Sequence, residues 1–138
     1  GTGAGLPGVV LAIMMKNLNK SMKFKLYEKS HLKSAFLRDV TRKLNLNIEI
    51  VEGDIFKKIN LRSDTVIGRA FKPLPVVLEL MSKNFVNYKN LILFMGKNGK
   101  QTLKDAFKDW KFEYKEKMSL TSDDSFLIKI KNIKKKIE

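Results

Sequence analysis

The sequence predicts an α/β fold on a mostly parallel sheet that closes with an antiparallel C-terminal hairpin. Three observations carry this. Strand-like and helix-like segments alternate along the 138 residues, the pattern of a doubly wound sheet. Leu91 to Met95 is an almost unbroken apolar run, as expected of a strand covered on both faces. The last two strand-like segments have no helix between them, so they should pair with each other. A chain of this length has room for one core, and its apolar fraction of 43% is that of a globular protein. A single domain over residues 1–138 is expected.

The elements follow in order. Gly1 to Gly5 is a glycine-rich turn. A helix is expected from about Pro7 to Met15, with Pro7 near its first turn. Lys23 to Tyr27 reads as a strand, with Phe24 and Leu26 on one face. Ser30 to Leu44 reads as a helix, because Leu32, Phe36, Leu37, Val40 and Leu44 recur at three- and four-residue spacing. Ile48 to Val51 is a short strand running into Glu52-Gly53-Asp54. Asp64 to Gly68 is another. Pro73 to Phe85 is helical, with Val77, Leu78 and Met81 inward. After the apolar strand, Gly99 to Trp110 reads as a partly amphipathic helix. Phe112 to Lys117 and Phe126 to Ile130 form the hairpin, turning through Thr121-Ser122-Asp123-Asp124. From Lys129 onward the chain becomes lysine-rich, which predicts a frayed tail.

Composition narrows the function classes. Cysteine is absent, which excludes a disulfide framework and any thiolate metal site. The longest apolar run, Val9 to Met15, is too short to span a bilayer. No cationic stretch followed by an apolar one opens the chain. The expectation is a cytoplasmic monomer with no metal and no membrane partner. The net charge is +14, from 28 basic and 14 acidic residues. Such an excess suits an anionic partner such as RNA, because neutralised phosphates release counterions. Only four of the basic residues are arginines (Arg38, Arg42, Arg62, Arg69) and asparagine is abundant. Lysine and asparagine enrichment also follows from an AT-rich genome, so charge alone leaves both readings open.

Two features bear on a ligand. Gly1-Thr2-Gly3-Ala4-Gly5-Leu6-Pro7-Gly8 precedes a helix. Glycines tolerate positive φ and let backbone approach a ligand, and a helix start presents free N–H groups to an anion. Glu28 ends the next strand, about 20 residues further on, where a carboxylate can accept hydrogen bonds from both hydroxyls of a ribose. Together they favour an adenosine-containing cofactor without separating a nicotinamide dinucleotide from S-adenosylmethionine.

A family resemblance separates them. The opening Gly1-Thr2-Gly3-Ala4-Gly5-Leu6-Pro7-Gly8-Val9-Val10-Leu11-Ala12-Ile13 resembles the first cofactor motif of the RsmG (formerly GidB) family, bacterial 16S rRNA (guanine-N7)-methyltransferases. Lys33-Ser34-Ala35-Phe36-Leu37-Arg38 is similar to the family's K-x-x-F-L-R helix. Arg69-Ala70-Phe71-Lys72-Pro73-Leu74-Pro75 is similar to its R-A-F-x-P-L segment, and Phe94-Met95-Gly96-Lys97-Asn98 to its L-K-G-K strand end. Ser125 to Ile130 resembles its closing strand. These segments occur in order over nearly all of the chain. The resemblance implies a Rossmann-like class I methyltransferase sheet. It implies transfer of a methyl group from S-adenosylmethionine to guanine N7, with 16S rRNA or the small ribosomal subunit precursor as partner. Cofactor contacts are implied at Gly1, Gly3, Gly5, Leu6, Glu28, Ile55, Phe56 and Arg69, with Arg69 also a candidate for positioning the target base. Lys33, Arg38, Lys72 and Lys97 are candidate phosphate contacts.

The chain departs from the family pattern at Ile55-Phe56, where an Ala-Glu-like pair is usual and Asp54 stands close, at Gly68 (usually Ser) and at Met95 (usually Lys). The resemblance also implies that a strand and helices precede the glycine turn, the strand lying between those at Lys23 and Asp64. A non-catalytic truncated remnant with a basic RNA-binding surface is therefore the competing reading; a nicotinamide-binding domain is a third, disfavoured by Gly-x-Gly-x-Gly. His31, the single histidine, reads as a surface residue, and Trp110 and Phe112 as core or rim aromatics. Two strands lacking that neighbour would expose unpaired backbone groups. The isolated 138-residue polypeptide is expected to be unstable and barely active. A cooperative thermal transition together with micromolar cofactor binding would contradict this.

Overall fold

A computed structural model of the chain describes residues 7–69, 72–118 and 124–137. The chain forms two compact units, Gly1–Lys57 and Lys58–Glu138. The first contains α1 (Gly8–Asn17), β1 (Phe24–Glu28), α2 (His31–Lys43), β2 (Ile48–Glu52) and a 3-10 turn at Ile55–Lys57. β1 and β2 run parallel, in register from Phe24↔Ile48 to Glu28↔Glu52. Val9 of α1, Leu26 of β1 and Leu37 of α2 meet as the buried centre, with Ile13, Val40, Leu46, Ile48 and Ile50 packed around them.

Local chemistry sets the helix ends. Ser30 caps α2, its Oγ accepting the Lys33 amide at 3.3 Å, the usual device for satisfying a free N–H at a helix start. α1 and α2 both terminate on a left-handed asparagine, Asn19 (φ 55°) and Asn45 (φ 50°). Lys20 N donates to Met15 O at 2.8 Å and Leu46 N to Thr41 O at 3.0 Å, the six-to-one bond of a Schellman close. Asparagine tolerates this conformation through its short polar side chain. Lys16 Nζ of α1 then donates to Leu44 O at 2.8 Å and Asn45 O at 3.2 Å, tying α1 to the end of α2.

The second unit contains β3 (Leu61–Arg62), β4 (Thr65–Arg69), α3 (Leu74–Asn84), β5 (Phe85–Asn87), β6 (Asn90–Met95), α4 (Gly99–Ala106), β7 (Trp110–Met118) and β8 (Phe126–Lys135). Its main sheet has the order β4-β6-β8-β7. β4 and β6 are parallel, while β8 is inserted antiparallel between β6 and β7. One face carries the core: Leu91, Leu93 and Met95 lie beside Ile130, Ile128 and Phe126, against the buried Leu78 and Met81 of α3. Glu79 of α3 bridges Lys83 at 2.6 Å and Lys135 of β8 at 3.8 Å. The Lys83 hydrogen bond, reinforced by Lys135, holds the Glu79 carboxyl below its usual range. Among the described residues, β1 and β4 each have a single strand neighbour.

The expected α/β architecture with its antiparallel closing hairpin is present, and four details differ. α4 ends at Ala106, four residues early, because Trp110 is 3% exposed and opens β7 opposite Lys135. The lysine-rich end is not frayed up to Lys135: β7 has nine residues and supplies β8 with partners that far. A second short parallel pair, β3 with β5, has no sequence counterpart. On α2, Leu37 is fully buried while Leu32 is 81% and Phe36 54% exposed. The buried stripe is centred on Ser34 and Leu37, and at ~100° per residue Phe36 lies about 130° and Leu32 about 170° away from it, on the outer side of the helix.

Ile128 of β8 is fully buried between β6 and β7. Replacing it by alanine removes buried methylenes and leaves a cavity. Ile128→Ala is expected to lower unfolding free energy by about 2–5 kcal/mol, read from the urea midpoint.

Candidate functional site

The C-terminal ends of β1 and β2 form a rim in the first unit. Glu28 ends β1 with 4% of its surface exposed. Its Oε2 accepts the Ser30 amide at 3.0 Å. Its main-chain oxygen accepts Gly53 N at 2.9 Å and the buried Ser34 hydroxyl at 3.3 Å. A buried carboxylate is costly unless hydrogen-bonded, and here the N-terminus of α2 supplies the amide beside it. Glu52 stands directly across from Glu28 in the register. It is engaged otherwise: His31 Nδ1 lies 3.0 Å and Arg38 Nη1 3.5 Å from its Oε1. The two carboxylates are thus differentiated, one buried on an amide and one met by the His31 ring and the Arg38 guanidinium.

Beyond β2, Asp54 Oδ1 accepts the Phe56 amide at 3.0 Å, and Lys57 N closes the turn on Asp54 O at 3.0 Å. This presents Ile55 and Phe56, both half-buried, just past the strand end. α1 approaches β1 closely at Gly8, where an added Cβ would lie 2.1 Å from Leu26 Cδ2. Its first turn has no side-chain cap and no acidic residue among the described residues, leaving the helix-start N–H groups to other partners. Gly1, Gly3, Gly5 and Leu6 lie outside the described residues.

In the second unit, Arg69 ends β4 exposed and forms no ion pair among the described residues, neither with Asp64 nor with Glu79. A cavity of about 470 Å³ opens between the start of α3 and the β6–α4 connection, within the usual 300–1,000 Å³ of ligand sites. Leu74, Val77, Leu93 and Met95 make its apolar walls, and Lys72, Lys97, Asn98 and Thr102 its polar ones. Among the described residues no carboxylate lines it.

The family rRNA small subunit methyltransferase G (GidB) matches residues 1–128. The chain belongs to this family. The ribosomal RNA small subunit methyltransferase G of Pelagibacter ubique is 53% identical over 136 residues, covering 99% of this chain and 64% of that protein. The homologue from Dinoroseobacter shibae is 32% identical over 130 residues, covering 94% of this chain and 67% of that protein. The chain thus spans about two thirds of the length of these relatives. The fold is also that of TrmK from M. capricolum, solved in complex with S-adenosyl-homocysteine. That match has a TM-score of 0.60 at 16% identity and covers 94% of this chain and 58% of that one.

The GidB-like helix motif now has a physical account. Ser34 pins the Glu28 carbonyl, Leu37 fills the core and Arg38 spans to Glu52. Arg38 is therefore committed to Glu52, whereas Lys33, Lys72 and Lys97 remain exposed. Glu52, His31 and Ser34 were missed as rim residues. The spacing of Glu28 and Glu52 at two strand ends was the available signal. The Gly8 approach gives a test of local packing. Overpacking costs about 1–3 kcal/mol, so Gly8→Ala should destabilise by that amount in the parent and by much less in a Leu26→Ala background. Additive costs in urea unfolding would contradict the contact.

Proposed function

We propose that the chain is the S-adenosylmethionine-binding body of an rRNA methyltransferase that modifies guanine N7 in 16S rRNA in the cytoplasm. Residues 1–138 act on this reading as one methyltransferase domain, supported by a family match that runs across both units. The observation that carries the reading is Glu28: a buried carboxylate at the C-terminal end of a strand, accepting the Ser30 amide while Gly53 and Ser34 hold the main-chain oxygen of the same residue. Ligands in open α/β sheets bind outside these strand ends. The donor set fits the cofactor. A carboxylate suits a ribose diol, half-buried Ile55 and Phe56 suit an adenine face, and the α1 start after Gly1, Gly3, Gly5 and Leu6 suits a carboxylate.

The bound cofactor supplies an electrophilic methyl group on a sulfonium. Guanine N7 carries a lone pair and no proton, so the chain needs no general base for this transfer. Its residues contribute position and charge. Arg69, in no ion pair among the described residues, orients the cofactor or the target base. Lys72 and Lys97 hold RNA phosphate at the mouth of the cavity, whose apolar walls receive the nucleotide. The partner is 16S rRNA or the small-subunit precursor.

Hydrogen bonds to a charged group contribute about 1.5–3 kcal/mol. Glu28→Gln is therefore expected to weaken S-adenosylhomocysteine binding about 10- to 100-fold, measured by calorimetry, while NADH fails to bind parent and variant alike. Disrupting the gene should remove N7-methylguanine from 16S rRNA. Unchanged modification would leave the chain a non-catalytic remnant.

A further inference from the structure

We infer that the solvent face of the β7–β8 ribbon is a docking surface for the RNA sugar-phosphate backbone, an inference that rests on the RNA substrate proposed above. Directly paired residues of adjacent strands project to the same face. The pairs Lys111↔Lys134, Glu113↔Lys131, Lys115↔Lys129 and Lys117↔Leu127 therefore share one side. The other side is the core side, where Phe112, Phe126, Ile128 and Ile130 are buried. Six lysines thus face solvent with one carboxylate, Glu113, among them. None of the six forms an ion pair among the described residues, whereas Lys100 and Lys135 of the same unit do.

Two of the pairs set lysine directly opposite lysine. Like charges in that position destabilise a sheet, so the arrangement works against folding unless an anion lies over it. The backbone beneath is firm. β8 is paired on both sides from Phe126 to Ile130 and with β7 alone from there to Lys135, and its one irregularity is taken up at Asn132, which adopts φ 57°. Alternate residues on a strand stand ~6.8 Å apart and strands ~4.8 Å apart, giving a two-dimensional array of cations suited to a polyphosphate backbone. Phosphate contacts position a nucleic acid without reading its bases. The same face continues through Leu127↔Phe94 and Phe94↔Arg69. RNA held by the lysines therefore lies on the sheet face that carries Arg69.

The test uses the protein expressed from its own gene and a 16S rRNA transcript. Lys115→Gln with Lys129→Gln removes two phosphate contacts and relieves one repulsive pair. Affinity should fall about tenfold and the dependence of log affinity on log salt should flatten by about 1.5. The thermal midpoint should hold or rise, and S-adenosylhomocysteine affinity should not change. Lys115→Arg with Lys129→Arg should retain RNA binding. Lys111→Gln with Lys134→Gln repeats the measurement at the second pair. RNA affinity and salt slope unchanged in both glutamine pairs would overturn the inference, as would preference for phosphatidylglycerol vesicles over RNA. Loss of cofactor binding in the parent would instead overturn the methyltransferase reading, leaving the ribbon measurement intact.

Discussion

Burial of the Glu28 carboxylate is the constraint on which the rim depends. Taking a carboxylate out of water is tolerated only where hydrogen bonds replace hydration. Here the requirement propagates outward. Ser30 must start α2 with its amide turned to the carboxylate, while Ser34 and Gly53 fix the position of the same residue through its main-chain oxygen. Leu37, three residues on from Ser34 and fully buried, then locks α2 against Val9 and Leu26. Ser34, Leu37 and Arg38 of the motif thus lie along one stripe of α2, holding the end of β1, the core and Glu52.

The same economy appears in the second unit. Inserting β8 antiparallel between β6 and β7 buries Ile128 and Ile130 and leaves the ribbon's other face to solvent. Close approach of α4 needs a glycine at position 99, since a Cβ there would meet Met95 and Phe126 at 2.8 Å. The resulting cavity is apolar in its walls and cationic at Lys72 and Lys97, a combination suited to a base with its phosphate. Proximity rather than acid–base chemistry is what such a site offers a methyl transfer to an unprotonated nitrogen.

Much of this was readable in the sequence because it rests on periodicity and on glycine and proline at element ends. The 3.6-residue pattern of α3 matched the burial of Val77, Leu78 and Met81, whereas the unbroken apolar run of β6 overstated its covering: Leu91, Leu93 and Met95 are buried but Ile92 and Phe94 only half-buried. Apolar spacing alone could not say which side of α2 is covered: it weighed Leu32 and Phe36 equally with Leu37, while the decisive inward residue was Ser34. Short pairs such as β3 with β5 leave no periodic signature in two or three residues. The lysine-rich end looked unstructured because charge masks strand pattern. Ile133, half-buried among the lysines, was the one apolar position that carried the strand pattern beyond Ile130. Glu28 was found from its distance to the glycine turn, and its burial only from the fold.

The most direct measurement is a crystal structure of the protein with S-adenosylhomocysteine bound. The expected result places both ribose hydroxyls within ~2.6–3.0 Å of the Glu28 carboxylate, with the adenine against Ile55 and Phe56. Nucleoside density away from the end of β1, or a ribose turned from Glu28, would contradict the account.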